Sequence, residues 1–171
     1  MNDLPKRKDI RLKDYDYSSN GAYFITICTK DMKCILSRIS VGHDAHIVPK
    51  IELTNYGRIV EKHLLLIPGI NRYVIMPNHI HLIIVKDNDG TMRASCPTTV
   101  SSDIRSFKIV VTKEIGKSIW QSRFHDHIIR DDYDYMQHIQ YIDENPKNGF
   151  SERMNTTFKN PNEFFAHLGY F

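Results

Sequence analysis

Two histidines one residue apart, His79 and His81, lie in the apolar run Tyr73 to Val85 (YVIMPNHIHLIIV). The run divides at Pro77-Asn78, where proline presets a turn, into strands Tyr73 to Met76 and His79 to Val85. Side chains alternate along a strand, so His79, His81, Ile83 and Val85 share one face, and Ile80, Leu82 and Ile84 the other. Two neutral imidazoles side by side are half of a divalent-metal site, to be completed by one or two oxygen donors. The ordinary alternative is a pair of core histidines bonded to backbone. Far downstream, Tyr141 and Asn145 would add a nucleophile and an oxygen donor to such a site if the helix that carries them packs beside the hairpin, which spacing alone does not show. A tyrosine oxygen can attack a phosphodiester and store its bond energy as a phosphotyrosine. Its usual pKa near 10 makes it a weak nucleophile unless a cation stabilises the phenolate. An ion held by two imidazoles and an amide oxygen would do so while polarising the phosphate.

The surrounding elements follow from pattern and caps. Ala22 to Thr29 (AYFITICT) is rich in β-branched and aromatic residues and predicts a central first strand. From Lys30 to Lys50 only Ile35-Leu36 has weak strand character, and His43 and His46 fall on a glycine-containing loop. Thr54 caps a helix to about Ile67, ended by Pro68-Gly69, with Tyr56, Ile59, Val60, His63, Leu64 and Ile67 as its stripe. Lys86 to Pro97 is a polar loop. Thr98 to Ile115 is a second helix, with Val100, Ile104, Phe107 and Val111 facing the core and Gly116 as its stop.

His125 to Arg130 predicts a short strand carrying a second His-x-His, His125 and His127, with no evident downstream partner. Asp131 or Asp132 caps a third helix to about Asn145, stopped by Pro146. Two lines run along that helix. Tyr135, Ile139 and Ile142 form the core line; Asp134, His138, Tyr141 and Asn145 form a second, about 100° away. His125, His127 and His138 are candidates for supporting or substrate-contacting positions. Residues 147–171 form a tail after Pro146.

Composition narrows the classes. With 41% hydrophobic residues in 171, the chain suits one folded domain rather than a disordered segment. A net charge of +3 permits a nucleic-acid partner without requiring one. Basic residues do cluster in the first twenty: Arg7, Arg11 and Lys13, followed by Tyr15 and Tyr17, read equally as a disordered, solvated arm or as one suited to a phosphate backbone and to stacking on bases. Arg105, Lys108 and Arg130 are further candidate DNA contacts. Three cysteines without a C-x-x-C imply neither a disulfide framework nor a zinc site. No apolar run spans a membrane and the start is too polar for a signal peptide, so the expectation is a cytoplasmic protein without membrane partners.

Tyr73 to His81 (YVIMPNHIH) resembles the His-hydrophobic-His, or HUH, motif of single-tyrosine HUH transposases. The likeness extends through RLKDYDY from Arg11, GAYFITICT from Gly21, LTNYGRIV from Leu53, SFK from Ser106, Trp120-Gln121, FHDHIIR from Phe124 and YIDENP from Tyr141. Its nearest branch is the REP-associated tyrosine transposases. The resemblance implies an α+β, ferredoxin-like antiparallel sheet with helices packed on one face. It also implies nicking and rejoining of single-stranded DNA beside a hairpin or palindromic element, through a 5′-phosphotyrosine. Carried over, His79, His81 and Asn145 hold Mg²⁺ or Mn²⁺ and Tyr141 is the nucleophile, with Asn145 where related transposases use glutamine. Monomer and homodimer both stay open. Two rivals stand beside this reading: a domesticated, inactive protein that only binds hairpin DNA, and a metal hydrolase built on His79, His81, His125 and His127. The second gives Tyr141 no task.

Overall fold

The computed structural model describes residues 20–40, 50–86 and 99–148. Strand β1 (Gly21–Cys28) is followed by a small two-stranded sheet, β2 (Ser37–Ser40) with β3 (Lys50–Leu53). Then come helix α1 (Asn55–Leu64), strands β4 (Ile70–Ile75) and β5 (His79–Lys86), helix α2 (Val100–Ile115), strand β6 (His125–Ile129) and helix α3 (Asp132–Asn148). The main sheet runs β4-β5-β1-β6, antiparallel throughout. The path β1-α1-β4-β5-α2-β6 in that order is the ferredoxin-like arrangement, with the β2–β3 hairpin inserted and α3 appended.

Both faces of the central strands are apolar, which decides where the helices go. On one face Tyr23, Ile25 and Ile27 of β1 and Ile80, Leu82 and Ile84 of β5 pack against Val60 and Leu64 of α1. The same cluster takes in the expected stripe of α2, Val100, Ile104, Phe107 and Val111, all buried. Thr54 caps α1 by accepting from Gly57 N, Thr99 caps α2 by accepting from Ser102 N, and Gly116 ends α2 in the left-handed region at φ 79°.

The opposite face carries Phe24, Val74, Met76, Ile83 and Ile129, covered by Ile142 with Tyr135, Ile139 and Tyr141. One-sided packing therefore holds for α1 and α2 and fails for α3. A sheet covered on one side would leave Phe24 and Ile83 in water, and α3 removes that cost.

Three further expectations change. The β2–β3 hairpin was not anticipated, and the strand starts at Ser37, just past the expected Ile35-Leu36. Helix α1 stops at Leu64, and Ile67 is buried from the turn that follows. Pro146 lies inside α3 rather than ending it. Proline denies the Ile142 carbonyl its usual partner. Burial of Ile142 and Asn145 against the sheet nonetheless keeps the chain helical. Arg7, Arg11, Lys13, His43, His46, most of the loop before α2 and the residues after 148 lie outside the described ranges.

Gly57 shows how tightly α1 seats. A Cβ built there would stand 2.1 Å from the Leu36 carbonyl oxygen. That oxygen already accepts from Thr54 N at 2.9 Å, so it has little room to yield. Alanine normally improves a helix by about 1 kcal/mol over glycine. Gly57→Ala is expected to reverse that sign, costing about 1–3 kcal/mol as overpacking does. Chemical denaturation of the two proteins checks it; a gain in stability would mean that α1 floats freely over β2.

Candidate active site

The site lies where β5, β1 and α3 meet. Strand register puts Thr26 of β1 opposite His81 and Cys28 opposite His79. On the outer side of β1, Thr26 is opposite His125 and Phe24 opposite His127. Both His79 and His81 are fully buried, with ring centroids 4.5 Å apart. The turn before them is fastened, since the Asn78 carbonyl accepts from Thr29 N at 2.9 Å and Thr29 Oγ1 at 3.0 Å.

Each imidazole has a neighbour at Nδ1 that orients it. His79 Nδ1 lies 2.7 Å from Asn78 Oδ1, an acceptor, so Nδ1 carries the proton and Nε2 the lone pair. His81 Nδ1 lies 2.8 Å from Thr26 Oγ1, and its Nε2 faces Tyr141 Oη at 3.4 Å, a long contact. With Nδ1–H donating to Thr26, His81 presents the same nitrogen as His79. This outer support is what fixes tautomer and ring direction in a metal-binding histidine. Sequence reasoning passed over Thr26 and Asn78; the adjacency of Asn78 to His79 was the available signal.

Helix α3 turns its second line, Asp134, His138, Tyr141 and Asn145, toward these strands. Tyr141 is half-buried, edge-on to His81 with ring centroids 5.1 Å apart. Asn145 is buried, and its Oδ1 has no hydrogen-bond partner among the described residues. An orphaned buried amide oxygen is costly unless something occupies it. Two imidazole nitrogens plus that oxygen are a donor set suited to a divalent ion, so the residues fit the group the resemblance implies.

Other expected positions separate. His127 and His138 join Asp134 rather than the His79–His81 pair: His127 Nε2 is 2.8 Å from Asp134 Oδ2, and His138 Nδ1 is 3.1 Å from Oδ1. The downstream partner of the second His-x-His is thus Asp134, recognisable only once α3 is placed on the sheet. His125 is half-buried, on the far side of Thr26 from His81. Lys108 sits on α2, behind the sheet from Tyr141, where Nζ donates to the Gln121 and Arg123 carbonyls at 3.0 Å each. Arg105 is exposed on the same helix, and Arg130 is exposed after β6.

Charge follows burial. Desolvation lowers His79 to about 3 and carries His81 well below its ordinary range, with His79 and His138 adding repulsion. Both are therefore neutral and able to ligate at neutral pH. Desolvation pushes the Tyr141 phenol up to about 12, partly offset by a hydrogen bond from Asn145. As it stands the tyrosine is protonated, and positive charge beside it is what would activate it.

The antiparallel sheet and its helices fit the HUH-type fold that the resemblance implies. The curated relatives name the branch. A REP-associated tyrosine transposase of Escherichia coli (strain K12) is 36% identical, covering 81% of this chain and 74% of that protein. An uncharacterized protein of Haemophilus influenzae is 34% identical over 82% of this chain and 88% of its own length. The chain belongs to the REP-associated tyrosine transposases. A solved structure of a REP-associated tyrosine transposase bound to a REP hairpin shares the fold, with TM-score 0.55 at 24% identity, covering 82% of this chain and 74% of that one. No family model matches the chain. Among the described residues no helix is long and apolar enough to cross a membrane.

The buried histidines link the site to stability. Unfolding frees His79 to take a proton below its ordinary 6.5, whereas the folded chain refuses one until about 3. The unfolded state therefore gains protons across that window, and stability falls as pH is lowered from about 6.5 toward 3. Each such histidine contributes a slope of up to about 1.4 kcal/mol per pH unit. His81 acts in the same direction, as does His125, lowered by burial to about 4. Melting curves between neutral and mildly acidic pH should show this slope, and His79→Gln, neutral throughout, should flatten it. An unchanged slope would assign the acid sensitivity to other groups.

Proposed function

We propose that this protein binds single-stranded DNA carrying a hairpin, nicks it beside the hairpin and rejoins it, with Tyr141 as the nucleophile. The observation that carries the reading is the meeting of Tyr141 Oη with His81 Nε2 at 3.4 Å, beside the Oδ1 of Asn145, which has no partner among the described residues. Nucleophile and ligand set converge although far apart in sequence. The relative's name and the hairpin-bound neighbour lend support from outside the chain.

In this reading Tyr141 Oη forms a bond to phosphorus as the bond to the 3′ oxygen breaks. The phenolic proton passes to solvent, and the 3′ oxygen leaves as a hydroxyl. Rejoining reverses these steps with a 3′-hydroxyl as the attacking group. His79, His81 and Asn145 would hold Mg²⁺ or Mn²⁺, which when bound polarises the phosphate and favours the phenolate. Thr26 and Asn78 hold the Nδ1 side of each ring, so Nε2 would be the ligating atom of both. Packing of Ile142 on the sheet holds α3 in register, so the phenol is presented in one orientation. Arg7, Arg11, Lys13 and Arg130 are proposed phosphate contacts. Arg105 and Lys108, on the other side of the sheet, would meet a different part of the DNA.

Tyr141→Phe removes the long contact to His81 and the hydrogen bond from Asn145, so it should cost about 1–3 kcal/mol. Hairpin affinity should persist. On denaturing gels the wild type should retain only the labelled fragment bearing the 5′-phosphate, and the variant none. An adduct formed by the variant would move the nucleophile to Tyr133 or Tyr135. Asn145→Ala should raise the Mn²⁺ concentration needed for half-maximal nicking roughly 10–100-fold, the cost typical of losing one group around a metal. Unchanged metal dependence would place the third ligand elsewhere.

A further inference from the structure

The group His127, Asp134 and His138 has no task in the proposed cleavage, and its geometry is specific. The three side chains bring one ligand atom each within 4.8 Å of one another. The two imidazole rings stack at 4.8 Å between centroids and 23° between planes. The Asp134 carboxylate spans them, Oδ2 toward His127 Nε2 at 2.8 Å and Oδ1 toward His138 Nδ1 at 3.1 Å. Asp134 also accepts from Arg130 N at 3.1 Å. His127 belongs to edge strand β6, while Asp134 and His138 stand one turn apart on α3. The group therefore straddles the seam where α3 lands on the sheet.

We propose that His127, Asp134 and His138 form a second metal site, distinct from the His79–His81–Asn145 set, for a divalent first-row transition ion of the Zn²⁺ or Co²⁺ type. Two imidazoles and one carboxylate are a recurrent donor set for such ions, and the imidazole majority disfavours Mg²⁺. Unlike the first set, this one includes an anionic donor. The two sets share no residue. Phe24 touches both, its ring 5.2 Å from that of His81 and 4.4 Å from that of His138.

Without an ion, His127 Nε2 faces Asp134 Oδ2, and His138 Nδ1 lies 2.8 Å from the Asp134 backbone carbonyl and 3.1 Å from Oδ1; with one, each ring would carry its proton on its other nitrogen while the three ligands close on a common centre. The site would then join β6 to the first turns of α3 and steady the helix that carries Tyr141. It does not depend on Tyr141 being the nucleophile, so the two readings fail separately.

The test is a count of metal equivalents on the full-length, metal-free protein without DNA, by Co²⁺ absorption and Zn²⁺ calorimetry. Wild type should take up two equivalents. The His79→Ala/His81→Ala protein should keep one. Asp134→Asn, which preserves shape and most hydrogen bonding, should lose that one, and so should His138→Gln. In the His79→Ala/His81→Ala background, Zn²⁺ at a hundredfold excess over its Kd should raise the melting temperature by roughly 5–10 °C. The same rise should be absent once Asp134→Asn is added. Should the double variant fail to fold, wild type against Asp134→Asn and His138→Gln still gives the answer by difference. Metal uptake that is indifferent to both Asp134→Asn and His138→Gln, whatever the number of equivalents wild type binds, would overturn the proposal and leave Asp134 as a hydrogen-bonding hub; a single equivalent lost with either substitution would keep this site and remove the first.

Discussion

The structure depends on keeping two uncharged imidazoles at the start of an apolar strand. His79 and His81 lie in a sheet beside Ile, Leu, Phe and Val, with Cys28 and Thr26 opposite them on β1, and neither touches water. A buried polar ring is tolerated only when its nitrogens are accounted for. Thr26 and Asn78 satisfy the Nδ1 positions: the Asn78 oxygen commits His79 to the Nδ1–H tautomer, and the Thr26 hydroxyl accommodates His81 in the same one. The same burial keeps the rings neutral, as ligation requires. Burial thus produces the chemical readiness of the pair, and the two cannot be varied independently. A more exposed pair would be easier to fold around but partly protonated at mild acidity.

Helix α3 meets two demands with adjacent lines of side chains. Tyr135, Ile139 and Ile142 cover Phe24, Val74 and Ile83. The neighbouring line faces the histidines, with Asp134 and His138 at one end and Tyr141 and Asn145 at the other. Ties outside the core set its angle: Tyr135 Oη donates to Asn71 at 2.7 Å and Arg72 pairs with Asp143 at 2.7 Å. The latter pair is half-exposed and contributes little energy, but it fixes register against β4. The geometry of the site is therefore a property of how one helix docks.

Patterns with a strong period were legible in the sequence. The 4, 3 and 4 spacing of Val100, Ile104, Phe107 and Val111 marked the buried face of α2 correctly, and strand alternation put His79 and His81 on one face. The double line on α3 was visible as well. The face of the sheet on which it lies was not, because helical period is blind to which surface a helix meets. The β2–β3 hairpin was missed since SRIS and KIEL are short, half polar and meet across a connection of low pattern. Pro146 misled because a local backbone preference was outweighed by the burial of Ile142 and Asn145. Thr26 and Asp134 gained roles only through pairing across strands and across the helix–sheet seam. No single segment records those relations.

Tyr141 and His81 are separated by 60 residues of chain. At a synthesis rate of about 5–20 residues per second, the histidine leaves the ribosome roughly 3–12 seconds before the tyrosine. For that interval the face bearing Phe24, Val74, Met76 and Ile83 lacks its cover from α3, since α3 is the last described element, and has only Ile39 and Ile51 beside it among the described residues. A nascent chain of this kind is thus sticky while its histidines still lack their helical neighbour. The closing helix ends both conditions in one step: it hides the apolar face as it brings Tyr141 to His81.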